Sequence, residues 1–151
     1  MSQENVEIVT RHFGALIREL DRYWENPRSF AAAAANGELD PDQHEVYDRL
    51  HPEVRWTQLG GEIYEGRIAV ARGVDDLFQA SREYAVRVDE VTDLGGDQVL
   101  VVVRSEMRGK SSGAPATVLL FTVVVLREGL LLRFDEYLSR EPALKAVGLE
   151  A

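Results

Sequence analysis

From Ser2 onward apolar residues recur at spacings of three and four, at Val6, Val9, Phe13, Leu16, Leu20 and Trp24, until Pro27 interrupts them. That spacing follows the 3.6-residue helical period and predicts a long helix with one buried stripe, Ser2 serving as its N-cap. "SFAAAAANG" reads as a short packing helix leaving through Asn36-Gly37, and "DPDQHEVYDRL" restarts a helix with Asp40 as N-cap and Pro41 at the first helical position. "HPEVRWTQLGGEIYEG" is two short extended pieces around Gly60-Gly61, a hairpin pattern. Val70, Val74, Leu77 and Phe78 restore helical spacing in the next segment, where Gly73 is a weak point.

The second half changes period. Valine and leucine runs broken by turn signals give "YAVRVDEVTDL", "DQVLVVVRSEMR", "ATVLLFTVVVLRE" and "LLLRFDEYLS", separated by Gly95-Gly96, "GKSSGAP" and Gly129. These predict an antiparallel meander. Helical segments followed mostly by strands, closed by an "EPALKAVGL" tail, make an α+β fold in which helices cover one side of a curved sheet. No repeat or linker divides residues 1–151, so one domain is expected.

The closing strand raises the chemical question. Alternation puts Leu130, Leu132, Phe134, Glu136 and Leu138 on one face, so a carboxylate shares the greasy side. An ionised carboxylate in apolar surroundings must be paired, hydrogen-bonded or shifted to a higher pKa. On the preceding strands Leu100, Val102, Arg104, Glu106 and Arg108 share a face, opposite Val101, Val103, Ser105 and Met107.

Composition narrows the partners. A net charge of -9, from 26 acidic against 17 basic residues, opposes binding to nucleic acid or anionic membranes. Absence of cysteine excludes disulfides and thiolate metal sites and fits a reducing compartment. "MSQENVEIV" has no basic segment followed by an apolar run, and no stretch reaches membrane-spanning length, so a cytoplasmic location is the expectation. With three histidines and no HExxH pattern, no metal site is expected, and nothing calls for a cofactor.

"MSQENVEIVTRHFGAL", "LHPEVRW", "YEGRIAVARGVDDLF" and "LREGLLLRFDEYLSREPALKAVGL" together resemble the nuclear transport factor 2-like superfamily, and within it the SnoaL-like proteins, named for a polyketide cyclase. The resemblance covers nearly the whole chain, which is longer than the usual member between Trp24 and Tyr47. It implies a cone-shaped α+β barrel, often a homodimer, enclosing a pocket for a small, largely apolar molecule. It does not imply one reaction, because the superfamily holds cyclases, isomerases, dehydratases, epoxide hydrolases and members without known catalysis.

A further similarity is to the limonene epoxide hydrolase branch. There Arg104-x-Glu106 would match an Arg-x-Asp, Glu136 the facing aspartate, and Trp56-x-Gln58 a Tyr-x-Asn, each by substitution rather than identity. Physically, Glu106 and Glu136 beside Arg104 in one cavity would titrate as a coupled set, yielding a base and an acid at one pH. The expected catalytic residues are therefore Glu136, Glu106 and Arg104. Trp56, Gln58, Tyr64, His12, Phe13 and Phe134 are the expected substrate-binding residues. The competing reading makes the charged three a structural salt-bridge network, or puts the strand's opposite face in the core.

Other patterns carry less. A ketosteroid-isomerase-like base is missing from "VRWTQ"; "RGKSSG" lacks the first glycine of a phosphate-binding loop; and no strand-turn-helix elbow surrounds Ser111 and Ser112. Two functions follow: a cofactor-independent acid-base enzyme on an apolar oxygenated substrate, or a non-catalytic ligand-binding or dimerisation module.

Overall fold

The structure, a computed structural model, describes residues 2–107 and 116–149. The stretch containing Arg108, Ser111 and Ser112 lies outside them. The long amphipathic pattern forms α1 (Ser2–Tyr23). The alanine run forms α2 (Phe30–Asn36), entered through Ser29, whose side chain accepts from Ala32 N, and left through Gly37 in the left-handed conformation at φ 70°. α3 (Pro41–Tyr47) begins with a capping box in which Asp40 and Gln43 satisfy each other's backbone N–H groups.

β1 (Leu50–Thr57) and β2 (Ile63–Glu65) form the expected hairpin, followed by α4 (Arg67–Ala80). The meander is β3 (Tyr84–Gly95), β4 (Gln98–Met107), β5 (Thr117–Arg127) and β6 (Leu130–Tyr137), antiparallel throughout. α5 (Arg140–Ala146) follows β6. The α+β expectation is met by a curved six-stranded sheet of order β2-β1-β6-β5-β4-β3. The sheet is not closed, and β1 joins it by pairing parallel to β6, a long-range pairing that no local turn signal announces.

Both faces of the sheet are covered. Val9, Phe13 and Leu20 of α1 and Val70, Val74 and Phe78 of α4 meet Val54, Trp56, Val99, Val101, Val124 and Phe134 on the inner face. Leu100, Val102, Phe121 and Val123 form a second cluster on the outer face, packed against Ala143 of α5. The tail is thus a helix on the side opposite α1 and α4, so helices do not cover one side alone. Arg140 fastens it by pairing with Glu90 at 2.7 Å and lying over the Phe121 ring at 5.6 Å.

The segment between Trp24 and Tyr47 is tied down by polar contacts. Asp75 of α4 accepts from Ser29 Oγ at 2.8 Å, Phe30 N at 2.7 Å and Ala31 N at 3.2 Å, so two free amides at the start of α2 are satisfied by another helix. Glu19 of α1, 4 % exposed, is paired with Arg22 and Arg28, and Arg28 also reaches Asp40. A carboxylate this deep is tolerable because guanidinium groups accompany it.

Candidate functional site

A cavity of about 130 Å³ lies between the inner sheet face and the helices α1 and α4. Apolar side chains make most of its wall, and aromatic ones recur: Phe13, Trp56, Phe78 and Phe134. Leu77, also in the wall, is 38 % exposed and marks the open side. The polar groups in the wall are Glu136, His12, Thr122, Ser105 and Ser81.

Glu136 is half-buried, and both its oxygens are engaged: Trp56 Nε1 donates to Oε2 at 2.8 Å and Leu59 N donates to Oε1 at 3.1 Å. The first contact exists because β1 and β6 run parallel with Trp56 beside Phe134, two residues before Glu136. The second comes from the backbone where β1 enters its hairpin, whose turn is closed by Gln58 N donating to Glu62 O and Gly61 N donating to Gln58 O. Burial pushes the Glu136 pKa above the ordinary carboxylate value, while the two N–H donors pull the other way by favouring the ionised form.

Trp56 is itself held from behind. Tyr64 stacks on it with ring centroids 5.2 Å apart, and Gly73 of α4 comes so close that an added Cβ would lie 2.7 Å from Trp56 Cζ3. The helix-weakening glycine is therefore what lets α4 approach the indole. Tyr64 does not line the cavity as expected; it buttresses the residue that does. Gln58 also falls outside the wall; its backbone N and O close the hairpin turn.

His12, Phe13 and Phe134 stand in the wall as expected, with His12 5.3 Å from each of the two phenylalanine rings. His12 is 5 % exposed and its Nδ1 has no hydrogen-bond partner. Burial lowers its pKa to about 4, opposed in part by a hydrogen bond with the Val46 backbone, so the imidazole is neutral at neutral pH.

The expected trio of Glu136, Glu106 and Arg104 does not assemble. On β4 it is Val103 and Ser105 that face the cavity, whereas Arg104 lies beside Leu119 of the outer cluster and Glu106 beside Thr117. Arg104 Nε is committed to Asp89 at 2.7 Å. The reason is visible in the strand: Leu100 and Val101 are both 0 % exposed, so apolar character gives β4 no phase, and the outer face was the wrong one to aim inward. Among the described residues no cation is paired with Glu136. The four residues of the limonene-epoxide-hydrolase pattern other than Glu136 thus contribute Trp56 alone to the wall.

β6 shows a related correction. A bulge in β6, opposite the step from Val125 to Leu126 on β5, shifts the register, so Leu131, 0 % exposed, opposes Leu126 and fills the core while Leu132 is the extra residue. Phe134 and Glu136 keep the inward phase after the bulge, and Leu138 is 63 % exposed. Thr122, missed in the sequence, is 3 % exposed, lines the cavity and sits directly opposite Glu136 in the β5–β6 register. A hydroxyl at a fully buried position within "LLFTVVV" was the available signal.

Comparison with known proteins places this geometry among relatives. Residues 27–134 match the SnoaL-like domain model. A protein from Jannaschia sp. CCS1 named as a SnoaL-like polyketide cyclase is similar in structure, with a TM-score of 0.62, 21 % identity, and coverage of 91 % of this chain and 86 % of that one. Bal32a, from a soil-derived mobile gene cassette, matches with a TM-score of 0.59 and 15 % identity over 90 % of this chain and 89 % of its own. TerC, co-crystallised with polyporic acid, matches with a TM-score of 0.56 and 15 % identity over 90 % of this chain and 92 % of its own. At these identities the likeness shows the fold. No curated protein matches the sequence significantly.

Proposed function

The chain belongs to the SnoaL-like domain family, and from that premise we propose that it is a cofactor-independent acid-base enzyme of the cyclase or isomerase type, with Glu136 as its proton-transfer group. The observation that carries this is a carboxyl in an apolar cavity wall, fixed by Trp56 and Leu59 and with its pKa raised by burial. A carboxylate of raised pKa is a stronger base than a solvated one, and its protonated form persists nearer neutral pH.

In this reading Glu136 takes a proton from a carbon next to a substrate carbonyl, leaving an enolate, and returns the proton to a carbon or oxygen of the product. The proton balance closes on one residue, which suits isomerisation or ring closure. An epoxide-hydrolase mechanism loses support, because the second carboxylate and the arginine that it would use face away from the cavity.

The test is deuterium incorporation from D₂O into cyclic ketones and hydroxyketones, followed by NMR. Wild type should exceed background, and Glu136→Gln should lower the exchange by about 100-fold or more, the usual span of general acid-base catalysis. Full exchange in Glu136→Gln would sink the mechanism. The second reading, a receptor without turnover, is favoured by the fact that both Glu136 oxygens already accept protein hydrogen bonds; binding of the same compounds with no exchange above background would select it.

A further inference from the structure

The strand beside Glu136 brings a second polar group to the cavity. Thr122 of β5 pairs directly with Glu136 of β6, so the two side chains leave one face of the sheet with Cβ atoms about 4.5–5.5 Å apart. Thr122 is 3 % exposed and lies in the cavity wall. Its hydroxyl makes no hydrogen bond with any described residue. Among the described residues the unpartnered side-chain atoms that are sealed from all accessible space are His12 Nδ1 and Trp24 Nε1, so the little surface that Thr122 keeps includes its oxygen. Its strand neighbours are Val101, 0 % exposed, and Glu136. That surface therefore opens on the cavity, and a buried hydroxyl without a partner is uncommon.

The other hydroxyls in the wall cannot take its place. Ser81 Oγ already donates to Leu77 O at 2.6 Å. Ser105 is opposite Val118, four positions from Thr122 along β5, which is about 13 Å of extended chain. One small molecule in contact with Glu136 thus meets Thr122 and not Ser105.

Size and charge narrow the occupant. At about 130 Å³ the space is slightly smaller than the ~150 Å³ engineered cavity that holds benzene, so it suits one ring. The wall contains no lysine or arginine, and an anion entering beside Glu136 would be stripped of water with no cation to meet it.

We propose that Thr122 is a substrate-binding residue that donates a hydrogen bond to the ketone oxygen of a neutral, single-ring substrate while Glu136 works on the adjacent carbon. The proposal rests on the acid-base reading and deepens it by naming the oxygen's partner and the substrate class. Glu136 takes the proton from the α-carbon, the C–H electron pair becomes the C=C bond of the enolate, and the carbonyl π pair moves onto oxygen. A hydrogen bond from Thr122 is worth most at that moment, because a preorganised donor stabilises developing negative charge more than a neutral carbonyl. Return of the proton from Glu136 to carbon restores the ketone.

The experiment uses cyclohexanone as probe and the full chain. Isotope-edited infrared spectroscopy of the bound carbonyl should show a band displaced to lower frequency than in hexane. A hexane-like band in wild type overturns the proposal without any variant. Thr122→Val, which keeps the branched shape in a strand of valines, should return the band to the hexane position. It should also lower kcat for deuterium exchange by about 100-fold while KM changes by less than about threefold, the pattern of a donor used in the transition state. Thr122→Ser, which keeps the hydroxyl, should retain the displaced band and most of the rate. An unchanged band or rate in Thr122→Val overturns the proposal, and so does equal loss in Thr122→Ser and Thr122→Val, which would assign the effect to packing. A higher kcat/KM for the two-ring α-tetralone overturns the single-ring limit. Exchange that needs Glu136 and ignores Thr122→Val would leave the acid-base reading standing and remove this proposal alone. A displaced band without exchange would remove the acid-base reading and keep Thr122 as the binder of the ketone.

Discussion

Trp56 Nε1 donates a hydrogen bond to Glu136 Oε2 at 2.8 Å, across two parallel strands whose residues lie 80 positions apart in the chain. The bond favours the ionised carboxylate and so works against the burial that raises its pKa. Trp56→Phe keeps the aromatic wall and removes the donor. The Glu136 pKa should then rise further, read by carboxyl NMR titration, and the acidic limb of any pH–rate profile should move to higher pH with it. A fall in the pKa would show that Trp56 acts on Glu136 mainly through burial.

Gly73→Ala replaces the poorest ordinary helix former with the best, a gain of about 1 kcal/mol in an open helix. Here the new methyl would meet Trp56, which is in the core, at 2.7 Å and Tyr64, which packs against that core, at 3.1 Å. Overpacking of this kind costs about 1–3 kcal/mol. Denaturant unfolding should therefore show net destabilisation, and the Glu136 titration should shift as Trp56 is pushed. A more stable Gly73→Ala protein would mean that the indole has room to move.

Two groups make stability depend on pH in separate windows. His12 falls from an ordinary value of 6.5 to about 4, so between those values the unfolded chain binds a proton that the folded chain refuses. Stability should decline as pH is lowered across that window, by up to about 3 kcal/mol at roughly 1.4 kcal/mol per unit. Glu90, hydrogen-bonded first by Arg140 and then by Thr92, is lowered from 4.5 to about 2, so its contribution is present above 4.5 and is lost as pH falls toward 2. Glu136, shifted upward, acts with the opposite sign, and the comparison is best made in a Glu136→Gln background. Thermal melts should show His12→Phe flattening the upper window and Glu90→Gln the lower; a flat profile in the parent would refute both assignments.

Asp75→Ala removes the acceptor shared by Ser29 Oγ, Phe30 N and Ala31 N. Each donor left unmet costs about 1–3 kcal/mol where it stays buried, less where water reaches it. Amide exchange at Phe30 and Ala31 should accelerate by tenfold or more while the β4 and β5 amides keep their protection. Uniform acceleration across the sheet would instead mean that α2 and the core unfold together.

Local chemistry along the chain was enough to set most elements. The stripe from Val6 to Leu20 made α1, Asp40-Pro41 started α3, Asn36-Gly37 ended α2, and Gly60-Gly61 and Gly129 turned the strands, because each acts on backbone conformation within a few residues. Glu136 was also found this way, as a carboxylate out of place on an apolar face. What the sequence left open was phase and pairing. β4 is apolar on both sides, so its valines and leucines fit either orientation, and the structure turns Ser105 inward and Arg104 outward. A one-residue bulge at Leu132 decides which of three consecutive leucines enters the core. The parallel pairing of β1 with β6, the fit of Gly73 against Trp56, and the unmet Nδ1 of His12 arise between segments far apart in sequence. Periodicity reports which side of an element is greasy, whereas the site depends on which greasy side meets which, and packing in three dimensions settles that.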